Sequence, residues 1–123
     1  MKLRISGNSI RLRLSVTDVT SLVDLGSVSA DCNIGSGTLT YQISQYKNQN
    51  ILSAAFADGY IEVKVPKDWL TNWDIDERIG FDGYDSSGLY ILIEKDFQCI
   101  KPRQQEDESD LYINPLANDT SHA

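Results

Sequence analysis

Four cations open the chain at positions that set like charge against like charge. Lys2, Arg4, Arg11 and Arg13 alternate with Met1, Leu3, Ile5, Ile10, Leu12 and Leu14, and Ser6-Gly7-Asn8-Ser9 separates the two runs. Gly-Asn between alternating runs signals a two-residue hairpin turn. With Gly7 and Asn8 as the turn, Ser6 faces Ser9, Ile5 faces Ile10, Arg4 faces Arg11 and Lys2 faces Arg13. One face of the ribbon is then aliphatic and the other cationic. Like charges directly opposite one another destabilise a sheet, so this face calls for negative charge from the chain or from a ligand. Guanidinium groups suit carboxylates and phosphates because they bond them through two parallel N–H groups. Three readings stay open: a solvated face screened by salt, an anionic-ligand site, or an internal network. The network would draw on Glu94 and Asp96, or on the acidic run Glu106, Asp107, Glu108 and Asp110.

Other residue types carry less chemistry. Glu94 and Asp96 stand at i and i+2 of an expected strand, hence on one face. Paired carboxylates do acid–base work when they straddle a bond. Here no second catalytic group accompanies them, and a salt-bridged rim is the plainer reading. Cys32 and Cys99 lack an activating base, because the single histidine is His122 in the tail. Both thiols read as reduced, buried small hydrophobes, Cys99 sharing a face with Leu89, Ile91, Ile93 and Phe97. This set cannot assemble a structural zinc site. Asp82-Gly83-Tyr84-Asp85-Ser86-Ser87-Gly88 offers oxygens but misses the spacing of a calcium loop and reads as a turn. No catalytic residue, metal or cofactor is assigned.

The elements that position these groups are short. A helix is expected between Thr17 as N-cap and Gly26 as C-cap, with Val19, Leu22, Val23 and Leu25 on one stripe. Alternation predicts strands over 28–34 and 38–44, then 51–56 and 60–65 joined by an Asp58-Gly59 turn. Pro66 ends the last of these, and 66–73 reads as a second short helix. Its Trp69 and Trp73 are expected to cover an open end of the sheet and cap a small pocket. Strands over 77–81 and 89–97 follow, the latter the longest apolar one, and residues 103–123 read as an acidic arm or tail beyond a single β-rich domain of residues 1–102. The expected class is mainly β: about eight short, mostly antiparallel strands curled into a barrel or sandwich, with two short helices.

Bulk properties narrow the function. The chain has 123 residues, 41% of them hydrophobic, enough to bury a core without disulfides or metals. A net charge of −7 makes general nucleic-acid binding a poor fit. Apolar runs are too short to span a membrane, and no secretory h-region is visible, so the expected location is cytoplasmic. Charge is uneven: four of the eleven cations lie in the first thirteen residues, and the acidic cluster lies near the other end.

Several stretches together resemble a family of small bacterial proteins of unknown function. They are Gly7-Asn8-Ser9-Ile10-Arg11-Leu12-Arg13-Leu14, Gly37-Thr38-Leu39-Thr40-Tyr41, Val65-Pro66-Lys67-Asp68-Trp69, Ile93-Glu94-Lys95-Asp96-Phe97-Gln98-Cys99, and Glu106-Asp107-Glu108-Ser109-Asp110-Leu111-Tyr112 with Asn114-Pro115. The resemblance covers residues 1 to about 117 and implies that the basic hairpin and the acidic stretch belong to one module. It brings no activity with it. The first functional expectation is therefore a non-enzymatic interaction module whose basic face takes an acidic arm, its own or a second copy's in a homo-oligomer. The alternatives are a barrel that binds a small anionic molecule through Arg11 and Arg13, with or without an unrecognised hydrolytic or isomerising activity, or a regulator whose arm imitates nucleic acid.

Overall fold

Tight turns set the local pieces of the fold. The structure, a computed structural model, describes residues 1–98 and 109–115. β1 (Lys2–Ser6) and β2 (Ser9–Leu14) meet at Gly7-Asn8, where Gly7 takes φ 55° and Asn8 stays out of the left-handed region. That is the pattern of a type II′ turn, which needs glycine at its first central position. β5 (Ser53–Ala57) and β6 (Tyr60–Pro66) meet at Asp58-Gly59, both left-handed at φ 52° and 73°, as a type I′ turn demands. β3 (Ser27–Ile34) and β4 (Gly37–Tyr46) make a third hairpin, β7 (Gly80–Tyr84) and β8 (Tyr90–Lys95) a fourth.

The four hairpins pair in twos. One sheet has the order β1-β2-β8-β7 and the other β3-β4-β6-β5. In each, two antiparallel hairpins join through a central parallel pair, β2 with β8 and β4 with β6. The result is a sandwich of two four-stranded sheets, not a closed barrel. The strands are mixed in direction because two of the six pairings are parallel. Among the described residues the longest strand is β4 with 10 residues, and β8 ends at Lys95 after 6. The core lies between the sheets, where Leu12, Leu14, Ile43, Val63, Ile91 and Ile93 are wholly buried. Burial of each such side chain contributes about 1.5–3 kcal/mol.

One α-helix, α1 (Val16–Leu25), crosses from the first sheet to the second. Its N-cap is Ser15, not Thr17: the Ser15 hydroxyl accepts from the Asp18 N–H at 3.2 Å and the Asp18 carboxylate accepts from the Ser15 N–H at 3.0 Å. This reciprocal box satisfies two otherwise orphaned donors. Gly26 closes the helix at φ 92°, and the Gln45 side-chain amide donates to the Leu22 and Val23 carbonyls. Val19 and Leu22 are buried, but Leu25 is 80% exposed, so the buried stripe is narrower than the spacing suggests. The expected second helix is a single 3₁₀ turn, Lys67–Leu70, followed by further turns. Trp73 is wholly buried against Phe81, with ring centroids 4.9 Å apart. No helix among the described residues is long and apolar enough to cross a membrane.

Asp18 also binds the Met1 ammonium at 2.8 Å. Burial alone would raise the Asp18 carboxyl, but that bond and the two from Ser15 outweigh it and hold the group below its ordinary value. A depressed carboxyl contributes stability above its unfolded pKa, about 3.9, and the contribution fades as pH falls through the folded value. Asp18→Asn is therefore expected to lower the thermal midpoint at neutral pH, with the gap to the parent closing in acid. Melting curves across the pH range check this, and a gap that persists unchanged into strong acid counts against it.

Candidate functional site

The outer face of the first sheet gathers the N-terminal cations. The register pairs Lys2 with Arg13, Arg4 with Arg11 and Ile5 with Ile10, so the cations occupy one face of the hairpin. β8 lies parallel beside β2 and sets Glu94 next to Arg13. A single Glu94 oxygen accepts from Arg13 Nε at 3.0 Å and lies 3.3 Å from Arg11 Nε. Lys2 Nζ reaches Asp96 Oδ2 at 3.1 Å, the lysine half in solvent and the carboxylate almost fully buried. Asp96 is held there by its backbone, since its N–H donates to the Leu14 carbonyl and its own carbonyl accepts from the Tyr112 N–H.

Arg4 differs from the other three. It is exposed and makes no ion pair among the described residues. It lines a depression of 260 Å³ with Arg11, Ser6, Ser9, Ile10, Tyr90 and Leu92. Two hydroxyls there are already committed: Ser9 Oγ donates to the Ser6 carbonyl at 2.6 Å, and the Tyr90 hydroxyl donates to Asp82 at 2.7 Å. Tyr90 ionises above the ordinary tyrosine value, chiefly because of that bond. The guanidinium groups are thus the main source of free donors on this face.

The acidic stretch lies partly elsewhere. Asp110, expected against the basic face, sits at the N-terminus of α1. Its carbonyl accepts from the Val16 N–H at 2.9 Å and its carboxylate from the Thr17 N–H at 3.3 Å. A carboxylate is favoured there because the first-turn amides lack helical partners and carry partial positive charge. Glu106, Asp107 and Glu108 lie outside the described residues, as do Cys99 and His122. Cys32 is exposed near the far end of edge strand β3, not buried as expected. Among the described residues, no group of three or more His, Cys, Asp and Glu is placed to hold a metal. In the β7–β8 loop, Asp85 Oδ1 is taken up by the N–H groups of Ser87 and Leu89 and by the Ser87 hydroxyl. Those bonds, the Ser87 side chain first, depress the Asp85 carboxyl.

One buried ionisable group escaped the sequence reading. Lys95 points inward and is only 5% exposed. Its Nζ donates to the Asp76 carbonyl at 2.8 Å and lies 5.6 Å from the Trp73 ring and 5.0 Å from the Tyr112 ring. Burial pulls the Lys95 ammonium below its ordinary value, and burial also pushes the Tyr112 hydroxyl up to about 12. The signal was present in the alternation: Lys95 falls between Ile93 and Phe97, on the face assigned to the core. A cavity of 590 Å³ adjoins it, lined by Asp74, Asp76, Glu77 and Phe97 among others. One carbonyl bond and two aromatic faces suit a charged ammonium that pins the 72–76 turn to β8. That is a structural role.

Comparison with known families decides the chain's kinship. A family of unknown function, DUF7009, matches it over residues 1–116. The chain belongs to that family. The DUF7009 match takes in the cationic hairpin, Glu94, Asp96 and the docked segment with Asp110 and Tyr112. No curated protein and no solved structure matches the chain.

Proposed function

We propose that this DUF7009 chain is a non-enzymatic interaction module that takes an acidic partner onto the outer face of hairpin β1–β2. The observation that carries the reading is Arg4, an exposed guanidinium with no carboxylate among the described residues, directly opposed to Arg11. Among the described residues, the one carboxylate that Arg11 reaches, Glu94, is shared with Arg13. Among the described residues, the four cations thus meet two carboxylates, Glu94 and Asp96. A partner carboxylate would relieve the Arg4–Arg11 repulsion and gain charge-assisted hydrogen bonds, each worth about 1.5–3 kcal/mol where water is excluded.

A second reading, a pocket for a small anion, draws on the 260 Å³ depression. It is the weaker of the two, because the Ser9 and Tyr90 hydroxyls that would add specificity are spent on the protein itself. A labelled oligoglutamate, followed by fluorescence anisotropy against the full chain, tests the first. Binding is expected at low salt, falling as salt rises. Arg4→Glu is expected to weaken it by about tenfold or more, as loss of a charged contact worth at least ~1.4 kcal/mol requires. Equal binding by parent and variant, or none by the parent at low salt, overturns the proposal.

A further inference from the structure

We infer that the acidic partner binds as an added β-strand along the free edge of β1, as an extended segment in which acidic residues alternate with bulky apolar ones. This deepens the reading above and rests on it.

β1 is the outer strand of its sheet, and no described residue pairs with its far side. In a two-residue hairpin the pair next to the turn exchanges both ladder bonds, and such pairs recur at every second residue. Ser6, Arg4 and Lys2 therefore bond to β2, which turns the N–H and C=O groups of Leu3 and Ile5 toward the open side. Those groups are a template for another strand.

The two faces of this edge are chemically opposite at adjacent residues. Arg4 points to the outer face, over the depression it shares with Arg11. Ile5 points to the inner face and is 61% exposed. It lines a mainly apolar groove of 340 Å³ between the sheets, with Ile10, Phe56, Ile61 and Leu89, to which Asp85 and Ser87 also contribute. Phe56, across the groove on β5, is 69% exposed. A guest strand has the same period of two. Its acidic residues would face Arg4 while the apolar neighbours entered the groove beside Ile5 and Phe56. This is the strand-addition mode of peptide recognition, in which backbone bonds supply affinity and alternate side chains supply choice.

Charge selects the occupant. A second copy's β1 laid antiparallel on this edge would set Lys2 and Arg4 against the same cations, so self-pairing is opposed. An acidic strand meets the reverse situation. Diffuse anionic material would use the guanidinium groups but leave the open amides and the apolar groove unfilled.

The test uses the full chain and three synthetic peptides: alternating Glu-Val, a block peptide of the same composition, and oligoglutamate. Affinity is read by anisotropy and amide hydrogen exchange by NMR. The alternating peptide is expected to bind at least about tenfold tighter than the block peptide, the factor ~1.4 kcal/mol of backbone and groove contacts would give. It is also expected to slow exchange at Leu3 and Ile5 specifically. Ile5→Pro deletes one edge donor without touching a ladder bond and should abolish the preference. Should that variant fold poorly, N-methylation of the peptide on alternate residues removes the guest's donors instead and leaves the protein intact. If block peptide or oligoglutamate binds as well as the alternating one, or if Leu3 and Ile5 are not protected, strand addition is wrong while the acidic-partner reading stands. If no acidic peptide binds, both fall.

Discussion

Trp73→Ala is expected to lower the unfolding free energy by about 3–5 kcal/mol, the range for truncating a fully buried aromatic side chain. The indole is wholly enclosed, its N–H donates to the Arg78 carbonyl at 2.9 Å, and its ring packs on Phe81. Truncation removes all three at once: it opens a cavity, leaves the Arg78 carbonyl without its donor, and strips Lys95 of one of its two aromatic faces. Domains of this size are stable by about 5–15 kcal/mol, so the variant should be marginal at physiological temperature. Denaturant titration followed by far-UV circular dichroism measures it. A loss below about 1 kcal/mol would show that the pocket collapses around the gap, contrary to the enclosed packing.

Gly80→Ala should be comparably severe for a different reason. A Cβ at Gly80 would stand 2.1 Å from the Ile93 carbonyl oxygen and 2.8 Å from the Glu94 Cα. Both are backbone atoms of the neighbouring strand, so no flexible side chain can yield. β7 must move away from β8, at a cost at or above the usual 1–3 kcal/mol of overpacking, on the order of 3 kcal/mol. Gly83, on the same strand, has open space where its Cβ would be. Gly83→Ala is the control and should be close to neutral. Thermal melts of the two variants side by side decide the matter, and equal midpoints would refute the close approach. Because Gly80 pairs with Glu94 in the β7–β8 register, the displacement should also loosen the shared contact of Glu94 with Arg11 and Arg13.

Local features were legible in the sequence and long-range ones were not. The β1–β2 register could be read residue by residue because Gly7-Asn8 admits only a short turn and alternation fixes the faces. The helix C-cap at Gly26 was readable for a similar reason, glycine being the residue that enters the left-handed region without strain. Its start was misplaced by two residues because Ser15 and Thr17 are both good caps. The deciding signal was Asp18, three residues after Ser15, which completes the reciprocal box. The parallel pairings of β2 with β8 and β4 with β6 leave no mark on any local window, since they depend on which hairpin packs beside which. Sandwich against barrel was undetermined for the same reason.

At the candidate site, the type and facing of the cations came from alternation alone. Glu94 and Asp96 were one of two candidate sources of negative charge, and alternation could not choose between them and the acidic run, because Glu94 becomes a neighbour of Arg11 and Arg13 only once β8 lies beside β2. Asp110 shows the limit from the other side: charge complementarity pointed to the cationic face, yet unsatisfied helix amides at Val16 and Thr17 hold it. Lys95 was hidden by its type. Lysine is rarely assigned to a core, and only its place in the period of two revealed where it points.

The nesting of one sheet inside the other has a consequence for synthesis. All four strands of the second sheet lie between the two hairpins of the first. On the ribosome, the positively charged ribbon emerges well ahead of Glu94 and Asp96, which follow some eighty residues later. Until the final hairpin arrives, the nascent chain carries an unneutralised basic patch and an unpaired β2, the form most exposed to polyanions and to mispairing. The pairing of β2 with β8 joins segments about eighty residues apart, the class of long-range contact whose loop-closure entropy slows folding.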